Sequence, residues 1–126
     1  MILILLSAGL FPAASRAAPW NIRDLGRFYK DHHCMSAARM TFRQLRAEHS
    51  IGDVRLSDWV ASAVGISERH DAVITCTFGD NRGTRATLVV HSDDRPVDAR
   101  FLTLRIATIF ETHRQSITQE WKDSFR

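Results

Sequence analysis

The fold of this chain depends most on the stretch Ala72-Val73-Ile74-Thr75-Cys76-Thr77-Phe78-Gly79-Asp80-Asn81-Arg82-Gly83-Thr84-Arg85-Ala86-Thr87-Leu88-Val89-Val90-His91. Residues 72–78 and 84–91 both alternate between two faces, as strands of a sheet do. Residues 79–83 between them are rich in Gly, Asn and Asp, which accept a positive φ at little cost. The stretch therefore predicts a β-hairpin. Its apolar face consists of Ala72, Ile74, Cys76, Phe78, Ala86, Leu88 and Val90.

Apolar stripes at the helical period predict one helix before this hairpin and one after it. The first runs from about residue 31 to 48, with Asp31 placed to cap it and Gly52 available for a left-handed turn beyond it. Its buried stripe consists of Cys34, Ala38, Thr41 and Leu45. The second runs from about Val97 to at least His113, with Pro96 in its first turn. Its apolar face consists of Phe101, Leu102, Ile106, Ile109, Phe110, Ile117 and Trp121.

A third strand is predicted between the first helix and the hairpin, over residues 54–64. Before the first helix, Ile22, Leu25 and Tyr29 have helical spacing, although Gly26 also allows an extended lead-in. We therefore expect an α+β domain of order α-β-β-β-α, with a three-stranded antiparallel sheet and both helices packed on one face.

The two cysteines, Cys34 and Cys76, each lie on the face of their segment that is expected to turn inward. Facing apolar sides bring a helix and a strand together, so we predict a disulfide that closes a loop of about 43 residues and contributes roughly 4 kcal/mol. Two buried free thiols and a redox or metal-binding pair are the alternatives. The closely spaced Cys-x-x-Cys pattern of redox pairs does not occur.

Residues 1–17 have the pattern of a signal peptide: an apolar run too short to span a bilayer, then Pro12 and the small-x-small site Ser15-Arg16-Ala17. No Lys or Arg follows Met1, so an uncleaved anchor and a cytosolic chain remain alternatives. Cleavage would leave a single domain over residues 18–126. That domain is expected to be periplasmic or secreted, where disulfides persist.

The charge balance argues against a nucleic-acid partner. The 126-residue chain carries 17 basic and 14 acidic residues, and removing residues 1–17 takes away one arginine and no acid. So small an excess is too weak to form a basic stripe along the domain. With 44% hydrophobic and 25% charged residues, the composition is that of an ordinary globular domain.

Three elements of the pattern resemble small exported bacterial proteins of uncharacterised function. They are Cys34-Met35 opening a helix that contains Ala38, the segment Ala72-x-Ile74-x-Cys76, and Leu88-Val89-Val90 followed by a final helix. The resemblance covers about residues 31–113. It implies the α-β-β-β-α order and the disulfide, and it implies no catalytic residue.

Candidate chemistry is sparse. His32-His33-Cys34-Met35 has the side chains of a copper or zinc site, but adjacent residues of a helix diverge by about 100°, so we predict no metal site and no cofactor. His70-Asp71 and His91-Ser92-Asp93-Asp94 could supply an acid–base dyad, yet no Gly-x-Ser-x-Gly motif occurs. We read them as turn and cap residues and predict that the protein is not an enzyme.

Two surfaces are candidates for binding. If both helices cover one side of the sheet, the other side is left open, with Trp59 as a further candidate member. The residues predicted there are Val73, Thr75, Thr77, Thr87, Val89 and His91. A basic helical face formed by Arg39, Arg43 and Arg46 suits an acidic protein, lipopolysaccharide or an anionic membrane surface.

The sequence therefore predicts a non-enzymatic interaction or binding module that binds a protein partner or forms a homodimer. An inhibitor or immunity-type protein of a periplasmic enzyme is the alternative. A small metal-binding protein or enzyme that uses His32, His33, His70 or His91 is a further one.

Overall fold

A computed structural model describes residues 20–79, 83–93 and 96–126. The elements in chain order are β1 (Trp20–Phe28), α1 (Asp31–Glu48), β2 (Asp53–Leu56), β3 (Val60–Ile66), β4 (His70–Gly79), β5 (Gly83–Ser92) and α2 (Pro96–Asp123). The five strands form one antiparallel sheet in the order β1-β5-β4-β3-β2. The predicted signal peptide, residues 1–17, lies outside the described residues.

The predicted three-stranded sheet and the α-β-β-β-α order are wrong. The order is β-α-β-β-β-β-α, with α1 crossing from β1 at one edge of the sheet to β2 at the other. The predicted hairpin is present as β4 and β5, and three residues of its turn, 80–82, lie outside the described part. Two of the five strands were not foreseen, and each has a local cause.

The first unforeseen strand is β1, where helical spacing and an extended lead-in were both open. Its pairing with β5 shifts between Asp24 and Gly26, which marks a β-bulge. Gly26 adopts φ 95°, and its amide donates a hydrogen bond of 2.9 Å to Asp24 Oδ1. The extra residue places Leu25 and Phe28 on the same buried face. Ile22 and Tyr29, which gave Leu25 its helical spacing, are 70% and 75% exposed, so that spacing does not mark a buried face.

The second difference is that residues 54–64 form two strands rather than one. Ser57 turns the chain: its Oγ accepts hydrogen bonds from the amides of Trp59 and Val60, at 3.3 and 3.0 Å. A serine side chain therefore replaces the Gly or Asn that usually marks such a turn. The second half of this hairpin, β3, continues to β4 through the turn Ile66–Arg69. There Ser67 and Glu68 both have positive φ, 48° and 67°.

The two helices lie close to their predicted positions. The first, α1, begins at Asp31 as expected, but Lys30 occupies the cap position with no side-chain hydrogen bond. The Asp31 carboxylate instead accepts a 2.7 Å hydrogen bond from Thr84 Oγ1, which ties the start of α1 to β5. The end of α1 does not use Gly52 in a left-handed turn, since His49 caps it in an extended conformation.

Both helices cover the same face of the sheet, and the core lies between the two layers. The second helix, α2, packs on β1 and β5, where Phe110 meets Phe28 edge-on with ring centroids 5.7 Å apart. The first, α1, packs against α2 and contacts β1, β3, β4 and β5, and the predicted Cys34–Cys76 disulfide joins it to β4 with a Cα–Cα distance of 6.1 Å. The fully buried large side chains include Phe42, Leu45, Ile66, Ile74, Leu88, Ile106, Ile109 and Phe110.

Two aromatic residues that were assigned to the core are exposed. Phe78, at the end of β4, is 49% exposed, and Phe101, near the start of α2, is 68% exposed. Phe78 lies on the helix-facing side of β4, at the end of the strand. Phe101 lies about 100° or more around α2 from the buried Leu102 and Ile106, so it points away from the core.

Candidate interaction surface

The side of the sheet opposite the helices has no covering layer in the described part of the chain. Cross-strand pairing identifies its members, because residues directly opposite each other in a ladder point the same way. Val73 pairs with Val89, which pairs with Ile22, and on the other side Val73 pairs with Ser62. We call this surface the open face. Its central members are Trp20, Ile22, Val60, Ser62, Val64, Val73, Thr75, Thr87, Val89 and His91.

The six residues predicted for this surface all lie on it. Five of them are half-buried by their neighbours, and Thr77, at the end near the β4–β5 turn, is exposed. The contribution of β1 was not predicted, because the spacing of its residues did not identify it as a strand. Trp20 is 57% exposed and Ile22 is 70% exposed, and the ring of Trp20 lies 4.4 Å from that of His91. The edge strand thus carries the largest apolar side chains of the open face.

The charged residues of the open face are Asp24, Arg27, Asp53, Arg55, Asp71 and Arg85, and four of them form ion pairs within the chain. Arg85 contacts Asp24 at 3.3 Å near β1, and Arg55 contacts Asp53 at 2.7 Å on β2. The stretch Ile22–Val89–Val73–Ser62 across the middle of the sheet contains no charged side chain. A partner seated on this surface would bury an apolar centre and leave the ion pairs at its rim.

Trp59, the further candidate for the open face, lies elsewhere. Its ring meets that of Phe78 edge-on at 4.0 Å. Together with Asp31, His32 and Met35 of α1, these rings line a cleft of about 440 Å³ at the end of the sheet. Trp59 therefore lies on the helix side of the molecule.

The predicted basic face of α1 borders a groove. Arg39, Arg43 and Arg46 stand along one side of α1, and Val54 and Leu56 of β2 form the other wall. Phe42 also lines this groove of about 260 Å³. None of the three arginines has a hydrogen-bond or ion-pair partner among the residues that the structure describes. We call this site the basic groove.

The histidines do not form a metal site in the described segments, where no three His, Cys, Asp or Glu side chains come together to hold an ion. His32 and His33 have ring centroids 4.4 Å apart. Burial lowers the pKa of His33, and the charges of His32 and Lys30 lower it further. The two cysteines are joined to each other.

Neither candidate dyad has a His–Asp hydrogen bond among the described residues, and Asp94 lies outside them. His70 and Asp71 point to opposite faces of β4, and Asp71 Oδ1 accepts the amide of Gly65 at 3.0 Å. His91 Nδ1 lies 3.8 Å from Asp93 Oδ1 on the open-face side. A pair that the sequence analysis missed does form: His49 Nδ1 is 3.1 Å from Ser67 Oγ, beside a cleft of about 290 Å³ that His70 and Asp98 also line. Only the fold reveals this pair, because 18 residues separate its members.

No helix among the described residues is long and apolar enough to cross a membrane. Comparison of the chain with protein-family models, with curated proteins and with solved structures finds no match.

Proposed function

We propose that the protein is an exported, disulfide-stabilised interaction domain that associates through its open face with a second copy of the chain. The observation that carries the proposal is the uncovered apolar centre of the sheet, flanked by the exposed side chains of Trp20 and Ile22. Contiguous apolar surface of this kind usually marks an interaction site. Exposed tryptophan is also the residue type most enriched among the side chains that dominate binding energy.

The size of the open face suits a dimer. Five strands at about 4.8 Å spacing are about 24 Å wide, and nine residues of β1 extend about 30 Å. The face therefore covers roughly 700 Å², so two copies would bury roughly 1,400 Å², within the range of about 1,200–2,000 Å² for stable interfaces. The uncharged stretch Ile22–Val89–Val73–Ser62 across its middle favours a second copy over a strongly charged partner, because a charge buried there would have no partner.

Export is the second part of the proposal. The Cys34–Cys76 bond supports it, because such bonds persist in oxidising compartments and are rare in the cytosol. The signal-peptide pattern of residues 1–17 is a second and independent support.

The proposal is tested by measuring the mass of the mature protein in solution between about 1 and 100 µM. We expect a dimer whose fraction rises with concentration. Ile22→Glu on β1 and Thr75→Arg at the centre of the face should shift the protein to monomer, because each would bury a charge without a partner. Phe101→Glu is the matched control, since Phe101 is as exposed as Ile22 but lies on α2. Circular dichroism verifies that each variant is folded.

Wild-type protein that remains monomeric at 100 µM would overturn the self-association proposal. A dimer that Phe101→Glu disrupts as strongly as Ile22→Glu would place the interface on the helices instead.

A further inference from the structure

We infer that the basic groove is a second binding site, and that it takes an acidic, extended peptide segment of a partner protein as an added strand on β2. The inference rests on the free edge of β2, the chemistry of the groove walls and the unpaired charge above them. It does not depend on dimerisation through the open face, which lies on the other side of the sheet.

The first argument is the free edge of β2. In the described residues β2 pairs only with β3, so one side of its backbone has no strand beside it. The amide of Ser57 donates a hydrogen bond of 2.9 Å to the carbonyl of Val60. In an antiparallel ladder every second residue of a strand bonds the same neighbour, so this bond fixes which residues of β2 bond β3. Arg55 therefore faces β3 with its backbone groups, and the backbone groups of Val54 and Leu56 face away. An extended peptide can pair with these groups, which is the recognition mode known as β-strand addition.

The second argument is the shape of the groove. Val54 and Leu56 direct their side chains toward α1 and line the groove together with Phe42. Leu56 is 44% exposed, so part of this apolar wall is uncovered. Every second side chain of an added strand would enter the groove and cover it.

The third argument is charge. Two arginines of α2 are neutralised within the chain: Arg105 binds Glu48, and Arg114 binds Glu111. Arg39, Arg43 and Arg46 have no such partner among the described residues. Their spacing puts them about 6 and 4.5 Å apart along the helix axis. Alternate side chains of a strand repeat about every 6.7 Å, so alternating carboxylates can each reach a guanidinium of this row.

A peptide fits these observations better than a lipid surface. A row of three arginines would suit an acidic peptide and an anionic lipid surface equally well. A lipid headgroup, however, cannot form a β ladder with the free amide and carbonyl groups of an edge strand. The groove is also concave and lies between two elements, whereas a membrane contacts a protruding face. Binding to a membrane surface is therefore one of the outcomes that the test distinguishes.

The test is fluorescence anisotropy with a labelled eight-residue peptide that alternates glutamate and valine, titrated with the mature, oxidised protein. We expect Arg43→Gln to weaken binding about tenfold and the triple Arg39→Gln/Arg43→Gln/Arg46→Gln variant to abolish it. Arg100→Gln, an exposed position on α2, is the matched control and should change affinity less than twofold. A lysine–valine peptide should not bind.

Two further peptides separate strand addition from simple charge attraction. One has the same composition with four glutamates followed by four valines, and the other carries N-methyl groups on alternate amides that block pairing in one register. We expect both to bind at least tenfold more weakly than the alternating peptide. Equal affinity of all three peptides would overturn strand addition.

Vesicles of phosphatidylglycerol supply the remaining outcome. Vesicle binding that Arg43→Gln abolishes, with no binding of the alternating peptide, would assign the groove to a membrane surface and overturn the inference. A protein that stays monomeric but binds the peptide would overturn only the proposed dimer.

Discussion

Replacing Cys34 and Cys76 together by alanine removes the covalent link between α1 and β4, and its effect can be estimated from the structure. The bond joins residues 42 positions apart, and closing a loop of this length lowers the entropy of the unfolded chain by an amount worth about 4 kcal/mol. Both side chains are almost fully buried, so the double variant also loses packing, at about 1 kcal/mol per sulfur.

These two contributions can be measured separately. In a domain of about 100 residues a loss of 1 kcal/mol lowers Tm by about 4–5 °C, so reduction of the wild-type protein should lower its Tm by about 16–20 °C. Reduced wild-type protein keeps its sulfur atoms. Its difference from the Cys34→Ala/Cys76→Ala variant therefore reports packing alone, and the variant should not respond to reductant.

The assay is thermal unfolding followed by circular dichroism, with and without dithiothreitol, together with peptide mapping without reductant. Mapping should recover the peptides of Cys34 and Cys76 as one linked species. An unchanged Tm on reduction would refute the reasoning that the bond restricts the unfolded chain. Free thiols in protein recovered from the periplasm would refute the bond.

Two further predictions concern the backbone and pH. Gly83→Ala should destabilise the protein by more than about 1 kcal/mol in urea unfolding, because Gly83 has φ 81° and an added Cβ would lie 2.0 Å from the carbonyl oxygen of Phe28. Gly26→Ala, also at positive φ but with its nearest contact 3.9 Å away, should cost less, and an equal cost would contradict the steric argument. The hydrogen bond from Arg114 lowers the pKa of Glu111 from its ordinary value of 4.5, so this pair stabilises the fold above that pH and the contribution disappears as pH falls below it. Arg114→Gln should therefore lower stability by about 0.5 kcal/mol at pH 7 and by less as pH falls through the lowered pKa of Glu111, and a loss that does not change with pH would exclude the charge interaction.

The elements that the sequence predicts well are those whose side chains follow one period without interruption. The two helices and the β4–β5 hairpin belong to this class, and the pairing of Cys34 with Cys76 followed from their positions on two inward faces. In β1 the bulge at Gly26 breaks the alternation, and the helical spacing of Ile22, Leu25 and Tyr29 comes from two residues that are exposed. The one-residue register shift at this bulge therefore prevented the strand from being predicted.

The candidate surfaces were predicted only in part for the same reason. The residues of β4 and β5 on the open face follow from their alternation, but Trp20 and Ile22 become members only through pairing across the sheet. The arginines of α1 are readable from their spacing. Their position beside a free strand edge could not be predicted, because Ser57 makes the β2–β3 turn through its side chain and the turn contains no Gly or Pro.

The pairing of β1 with β5 has a consequence for how the domain folds. Trp20 lies opposite His91 in the ladder, so the first strand of the sheet gains its only strand neighbour among the described residues after more than half of the chain is available. Contacts of such long range slow folding, because the loop between them must be ordered first. The β3–β4–β5 meander can form early from local contacts, while β1 docks late and leaves the edge of β5 open in the meantime. A chain that crosses a membrane unfolded before it folds would meet this delay on the far side, where an unpaired edge of β5 is the surface most exposed to misassembly.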